Sequence, residues 1–283
     1  MKVIRSRVLG FCMGVRRAVE IAEAELARKE RELCTMGPLI HNPRVLSSLG
    51  DRGMRVLEEE ALPLELGGST IIIRAHGISP SLEEELRRRH AVLADATCPR
   101  VKKNQLTARS LWEAGFSLFV AGEKQHGELA GLKAYAPGAL VVSNPAEAAL
   151  AAAALGREKP GARTALIGQT TIGDGEYRAI GRVIRAVFPD LTMVDSICPA
   201  TKERQEALRE LCSQVEAVLI AGGRTSSNTR RLLDIALSLG KPAWLVEAAV
   251  EIPAAELTGY RTVGLSAGAS TPDSDITEIE AAL

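Results

Sequence analysis

An internal repeat is the sequence feature that most limits how this chain can fold. The pattern D-x-x-C-P-x-x-K-x-x-Q begins at Asp95 and again at Asp195, so that Cys98 and Cys198 lie 100 residues apart. An Ala-Gly pair follows both copies at the same offset, and a weaker third copy begins at Cys12. Repeated units of this kind are supersecondary modules that pack together. The chain is therefore expected to contain three similar lobes.

Short aliphatic runs alternate with amphipathic stretches along the chain. This alternation predicts parallel sheets covered by helices, with ligands bound outside the carboxyl ends of the strands. Ser79 and Pro80 form a typical helix start, with Ser79 as the cap. The predicted strands cover residues 1–9, 71–73, 118–120, 165–167, 218–220 and 244–246, and the predicted helices cover residues 16–29, 81–89, 102–113, 176–187, 201–213 and 229–239.

These patterns predict an α/β fold of three lobes with parallel-type sheets, arranged as a pseudo-threefold trefoil. The lobes are expected to cover residues 13–97, 98–197 and 198–283. The last lobe has only three clear strands of its own, so residues 1–12 are expected to complete its sheet. Each lobe then turns one cysteine toward the axis: Cys12, Cys98 and Cys198.

Charge and hydropathy exclude several classes of protein. The chain has 35 basic and 35 acidic residues, which argues against nucleic acid as the main partner. The longest apolar run, residues 148–155, is far shorter than the roughly 20 residues of a membrane-spanning helix. The N-terminal residues contain no apolar signal region. A cytoplasmic protein without a membrane partner is expected.

The five cysteines are scattered and include no C-x-x-C pair, so neither a disulfide framework nor a zinc ribbon is expected. Cys34 lies at a helix-to-strand junction and Cys212 lies on an apolar helix row, and both are predicted to be small buried apolar residues. The same interpretation is open for any single cysteine. The shared phase of Cys12, Cys98 and Cys198 favours a ligand role for these three.

Three thiolates that meet at one point indicate a metal centre. Zinc held by three cysteines usually takes a histidine at closer spacing. A 4Fe–4S cluster normally takes four thiolates. With three, one iron keeps an open position that can bind and polarise a substrate oxygen.

Polar residues follow the strands twice in each third of the chain. Hydroxyl groups, imidazoles and helix N-termini with small Gly and Ala neighbours suit a phosphate or a diphosphate. Segment 226–228 is also a plain N-cap sequence. The residues at these strand ends are His41, His76, His126, Thr170, Ser226 and Ser270.

Glu128 is the only carboxylate among these strand ends. A glutamate at a helix start is usually a partner of the helix dipole. Beside an open iron, the same carboxyl group could deliver a proton to a leaving hydroxyl group, and Thr170 could relay it.

The motifs together resemble the 4-hydroxy-3-methylbut-2-enyl diphosphate reductase family, the last enzymes of the methylerythritol phosphate route to isoprenoids. The resemblance covers residues 10–272. It is carried by G-F-C-M-G from Gly10, G-P-L-I-H-N from Gly37, R-A-H-G from Arg74, D-A-T-C-P from Asp95, H-G-E from His126, Q-T-T from Gln169, S-S-N from Ser226 and A-G-A-S from Ala267.

The resemblance implies a trefoil around a central 4Fe–4S cluster held by Cys12, Cys98 and Cys198. Its open iron would bind the substrate hydroxyl group, and two external electrons and two protons would remove that group as water. Glu128 would supply protons, with Thr170 and His126 close by. The electron donor would be a ferredoxin or a flavodoxin. The implied substrate-binding residues are His41, His76, His126, Thr170, Ser226, Ser227, Asn228 and Ser270.

Two departures from the family pattern are small. Many relatives carry proline where this chain has Gly127, and relatives vary where it has Pro199. Two other functions stay open on the residues alone. An iron–sulfur hydro-lyase or phosphate-ester isomerase would use the same open iron without net electrons. An electron carrier would have little use for phosphate-binding strand ends.

Overall fold

The structure, a computed structural model, describes all 283 residues. Its strands form three four-stranded sheets, and every neighbouring pair of strands is parallel. The strands are β1 (Lys2–Arg5), β2 (Glu32–Met36), β3 (Arg55–Leu57), β4 (Ser69–Ile73), β5 (Val92–Asp95), β6 (Ser117–Ala121), β7 (Leu140–Val142), β8 (Thr164–Gly168), β9 (Thr192–Met193), β10 (Ala217–Ala221), β11 (Ala243–Val246) and β12 (Thr262–Ala267).

Helices follow most of the strands, as expected when the strands of a sheet are parallel. Short 3₁₀ helices cover Glu59–Ala61 and Ala249–Glu251. The α-helices are α1 (Met13–Arg28), α2 (Pro43–Asp51), α3 (Pro80–Arg88), α4 (Pro99–Glu113), α5 (Gly127–Tyr135), α6 (Pro145–Glu158), α7 (Asp174–Arg185), α8 (Pro199–Cys212), α9 (Ser227–Ser238), α10 (Ala254–Leu257) and α11 (Asp273–Ala281).

The chain divides into two compact units. The first comprises Met1–Glu23, Pro38–Met54 and Pro199–Leu283. It contains one sheet with the strand order β1-β12-β10-β11, in which Lys2 of β1 lies opposite Thr262 of β12. Alternate residues of β10 pack on opposite faces of this sheet, with Val218 on the side of α8 and Leu219 on the side of α11. The sheet is therefore buried on both faces, as parallel sheets are.

The second unit comprises Ala24–Gly37 and Arg55–Cys198. It contains two sheets, with the strand orders β3-β2-β4-β5 and β7-β6-β8-β9. Ile71 at the centre of one and Phe119 at the centre of the other have no exposed surface. In both sheets the first strand along the chain lies second in the strand order. The next strand along the chain lies at the edge beside it, and the last two strands lie on its opposite side.

The predicted strands and helices are confirmed, with shifts of a few residues at their ends. The first strand is shorter than the predicted residues 1–9, and the first helix starts earlier, at Met13. Ser79 caps α3 by accepting the N–H of Leu82 at 3.1 Å, and Pro80 is the first helical residue. None of the helices combines the length and the apolar composition that a membrane span requires.

One local expectation about the cysteines needs a correction. Cys34 is not at a junction but lies in the middle of β2, where it packs in the apolar core beneath that sheet. Cys212 is buried on the apolar face of α8, as expected. Burial raises the pKa of both thiols, which makes each a poor source of thiolate.

Candidate active site

The three repeat cysteines share one local setting. Cys12, Cys98 and Cys198 each directly precede a helix, are half-buried and form no disulfide. The thiolate is the form of cysteine that binds metal. Three cysteine sulfurs, each at a helix start, are a donor set suited to an iron–sulfur group.

The main chain of each cysteine is tied to the loop after the third strand of a sheet. The N–H of Cys12 donates to the oxygen of Ala269 at 3.0 Å, after β12. The N–H of Cys98 donates to the oxygen of Ala75 at 2.9 Å, after β4, and the N–H of Cys198 donates to the oxygen of Thr170 at 3.0 Å, after β8. The same hydrogen bond thus recurs in all three copies of the repeat.

Glu128 and Thr170 form a buried pair in the second unit. The Glu128 side chain is only 1% exposed. Its Oε1 accepts the Thr170 N–H and its Oε2 accepts the Thr170 hydroxyl group, both at 2.8 Å. Burial raises the pKa of Glu128 to about 7, although the two hydrogen bonds from Thr170 act in the opposite direction. The pair therefore holds a carboxyl group that exchanges a proton near neutral pH.

Two of the predicted histidines lie together at strand ends of the second unit. The rings of His76 and His126 are 5.1 Å apart between centroids and meet edge to face. His126 caps α5, because its Nδ1 accepts the N–H of Glu128 at 3.2 Å. Gly127, the departure from the family pattern, is the first residue of α5.

In the first unit, the start of α9 presents buried polar groups. Ser226 accepts the N–H of Thr229 at 3.3 Å and so caps the helix. The side chains of Ser227 and Asn228 are 5% and 4% exposed. The hydroxyl oxygen of Ser227 and the Nδ2 of Asn228 have no hydrogen-bond partner. Buried polar groups are rarely without a hydrogen-bond partner, so this helix start fits an anionic ligand.

His41 and Ser270 are also brought together in the first unit. The Ser270 hydroxyl group donates to the His41 oxygen at 3.0 Å, and Asn42 Nδ2 donates to the Ser270 oxygen at 2.8 Å. A Cβ on Gly223, in the loop before α9, would lie only 2.7 Å from the His41 oxygen. This close approach explains why a glycine precedes the Ser226 segment.

Sequence reasoning missed several side chains that hold these loops in place. Gln169 Oε1 accepts the Glu123 N–H at 3.0 Å, and Gln105 Nε2 donates to the His76 oxygen at 3.2 Å. Asn104 and Arg204 are buried and bond to main-chain oxygens near the cysteines. Three of these residues lie within the repeat motif: Asn104, Gln105 and Arg204. Their position in the repeat is the sequence signal that could have identified them.

In the second unit, hydroxyl, imidazole and carboxyl groups follow the carboxyl ends of parallel strands, and in the first unit hydroxyl groups do so. These features define an α/β protein of parallel sheets whose polar side chains gather at strand ends and helix starts, where such folds bind ligands. The chain belongs to the LytB protein family, whose model matches residues 3–283. The family is an iron–sulfur family. The resemblance read from the motifs is confirmed, and so is the α/β class with three parallel sheets.

Curated relatives match the chain over its whole length. A protein of Treponema denticola named 4-hydroxy-3-methylbut-2-enyl diphosphate reductase is 45% identical, over 99% of this chain and 98% of that protein. A protein of the same name from Caldanaerobacter subterraneus is 36% identical, over 99% of this chain and 95% of that protein.

Solved structures are similar as well. The E-1-hydroxy-2-methyl-but-2-enyl-4-diphosphate reductase of Plasmodium falciparum has a TM-score of 0.89 at 25% identity, over 99% of this chain and 87% of that one. A second structure, described as the terminal enzyme of the non-mevalonate pathway, has a TM-score of 0.70 at 34% identity, over 100% of this chain and 99% of that one.

Proposed function

We propose that this chain is a 4-hydroxy-3-methylbut-2-enyl diphosphate reductase. It removes the hydroxyl group of (E)-4-hydroxy-3-methylbut-2-enyl diphosphate and forms isopentenyl diphosphate and dimethylallyl diphosphate. The observation that carries the proposal is the buried Glu128–Thr170 pair, in a chain whose full-length relatives bear this name. The reaction needs a proton donor that is shielded from water, and Glu128 meets that need.

Cys12, Cys98 and Cys198 would hold a 4Fe–4S cluster with one iron that has no cysteine ligand. The support is their shared position before a helix and their shared main-chain hydrogen bond. When bound, the cluster supplies electrons one at a time and a Lewis-acidic iron for the substrate hydroxyl group. Cys34 and Cys212 are excluded from this role because they are buried in apolar cores.

Glu128 and Thr170 would move the protons. The reaction consumes two electrons and two protons, breaks a carbon–oxygen bond, and releases water. One proton leaves in that water and the other ends on a carbon of the product. With a pKa of about 7, a large fraction of Glu128 is protonated at neutral pH. The Thr170 hydroxyl group bonds to Oε2 and can accept one proton while it passes on another.

The diphosphate would be held by hydrogen-bond donors at strand ends and helix starts. Ser227 and Asn228 have buried polar atoms that await a partner, and the N-terminus of α9 attracts negative charge. Thr170 is also assigned to substrate binding. The other residues that we assign to diphosphate binding are His41, His76, His126, Ser226 and Ser270.

The electrons would come from a separate protein. The chain has no G-x-G-x-x-G motif after a strand that would hold a nicotinamide or flavin dinucleotide. A ferredoxin or a flavodoxin is the proposed donor class.

The proposal is tested on protein purified without oxygen. We expect about four irons and four sulfides per chain, and conversion of the diphosphate substrate only when a reductant such as reduced methyl viologen is present. Cys98→Ser should lose iron and activity together, whereas the buried Cys212→Ser keeps both. Turnover without any reductant would instead identify a hydro-lyase or isomerase, and full turnover by Glu128→Gln would remove the acid role of Glu128.

A further inference from the structure

Arg204, in α8, joins two segments of the first unit. Its side chain is 2% exposed. Its Nη2 donates to the oxygen of Gly10 and its Nη1 donates to the oxygen of Ala267, both at 2.9 Å. Gly10 lies two residues before Cys12. Ala267 lies two residues before Ala269, which accepts the Cys12 N–H. One guanidinium group thus joins the segment before Cys12 to the end of β12.

Asn104 occupies the matching position in the other full copy of the repeat. It lies six residues after Cys98, as Arg204 lies six residues after Cys198. Its side chain is 4% exposed, and its Nδ2 donates to the oxygen of Ser196 at 2.9 Å. Ser196 lies two residues before Cys198. In both copies, therefore, the side chain donates to the main-chain oxygen two residues before another repeat cysteine.

We propose that the side chain six residues after a repeat cysteine is a positioning residue for another cysteine of the set. Asn104 positions Cys198, and Arg204 positions Cys12. This inference rests on the proposed function, in which both cysteines are cluster ligands. Neither side chain touches the reacting atoms, because each acts through the main chain that carries a thiol.

The physical reason is the cost of leaving buried polar groups without partners. A buried carbonyl oxygen has no water to bond to, so a fixed donor holds it in one place. Hydrogen bonds around a metal site orient its ligands before the metal binds. Asparagine supplies a donor for one oxygen. Arginine supplies a rigid fork for two, which matches the two segments held at Cys12.

Cys98 provides an internal reference within the same chain. The position six residues after Cys12 is Ala18, whose buried methyl group donates no hydrogen bond. The segment before Cys98 is held by main-chain groups instead, because the N–H of Ala96 donates to the oxygen of Ile73 at 3.0 Å. The two proposed variants should therefore leave Cys98 unchanged.

The test measures how fast each cysteine of the full-length, cluster-free protein reacts with iodoacetamide, by mass spectrometry of the peptides. Arg204→Gln should speed the reaction at Cys12 about fivefold or more, and Asn104→Ala should do so at Cys198. Each variant should leave the other two repeat cysteines within about twofold. Arg209→Gln is the matched control, because Arg209 is an exposed arginine on the same helix.

Arg204→Lys keeps the charge and one donor, so it should give an intermediate rate at Cys12. It carries the test if Arg204→Gln does not fold, as judged by circular dichroism. An unchanged Cys12 rate in a folded Arg204 variant, or an equal increase at all three cysteines, overturns the proposal.

The reconstituted holoenzyme gives a second readout. The Arg204 and Asn104 variants should lose iron to a chelator several-fold faster than wild type, and the Arg209 control should not. A wild-type chain that incorporates no iron refutes the proposed function. The pattern of cysteine reactivity then still decides whether the two side chains position those loops.

Discussion

Folding raises the pKa of Glu128 from its ordinary value of 4.5 to about 7, because the carboxyl group is buried. Between these two pH values the folded protein keeps a proton that the unfolded chain has released. The free energy of unfolding therefore falls as the pH rises through this window, and the loss is complete above about pH 7.

Glu128→Gln should remove this loss, because a neutral amide of the same shape can bond to the same two groups of Thr170. We expect the variant to gain stability over wild type at pH 8, by at most about 3 kcal/mol, and to gain none at pH 4.5. Urea unfolding at the two pH values measures the difference. Glu84→Gln, at an exposed site, is the control, and an equal gain at both pH values would contradict the argument.

Thr170 tunes the acidity of its neighbour. Its hydroxyl group and its N–H both lower the pKa of Glu128. Thr170→Val removes only the hydroxyl group, so the pKa of Glu128 should rise further. In a plot of turnover rate against pH, the limb set by the ionisation of Glu128 should move to higher pH. The turnover rate should fall by a factor of about 10² or more because the proton relay through the hydroxyl group is lost. Thr170→Ser should retain the wild-type profile, and a valine variant with the same profile would exclude the relay.

At the scale of the element, two adjacent serines at the start of α9 have different roles, one in stability and one in ligand binding. Ser226 caps the helix, so Ser226→Ala should lower the free energy of unfolding by about 1 kcal/mol. The Ser227 hydroxyl group has no partner in the protein. Ser227→Ala should therefore leave stability unchanged and raise KM for the diphosphate substrate about fivefold. Thermal unfolding and steady-state kinetics on both variants check this contrast, which a loss of stability in Ser227→Ala would break.

Elements with strong local patterns were predictable, and those shaped by packing were not. Aliphatic runs such as residues 218–220 indicate a strand that is buried on both faces, and they predicted the central strands correctly. Helix α5 was missed because it begins at Gly127 and contains Gly131, two residues that disfavour helix. The structure shows why Gly131 is there. A Cβ at that position would lie 2.7 Å from Nε2 of the buried Gln105, a contact between distant residues that no local pattern reveals.

At the scale of the molecule, the repeat was the most informative signal. Its phase singled out Cys12, Cys98 and Cys198 and the polar strand ends. The three sheets share one strand order when β1 is taken as the last strand of its sheet. Sequence alone did not give the hydrogen bonds that Asn104 and Arg204 make, since their partners lie 92 and 194 residues away. The motifs did predict that Thr170 lies close to Glu128, but not the two hydrogen bonds that join them.

The proposed ligands are separated by 86 and 100 residues of chain. A group that binds only the folded chain stabilises it, and tighter binding gives a larger stabilisation. Removal of iron with a chelator should therefore lower the melting temperature of the whole protein. Calorimetry before and after chelation measures the change, with Cys34→Ser as a variant that keeps the wild-type drop. An unchanged melting temperature would mean that the cluster adds nothing to the fold.

The burial of Cys34 in β2 and of Cys212 in α8 has a practical consequence for handling the enzyme. With these two sulfurs masked by the cores around them, a chromogenic thiol reagent added to native apoprotein should register three equivalents per chain, and all five only after denaturation. The difference between the two readings gives a bench assay for intact folding. The number of thiols that react before denaturation measures the fraction of a preparation in which the three proposed cluster ligands are free of metal.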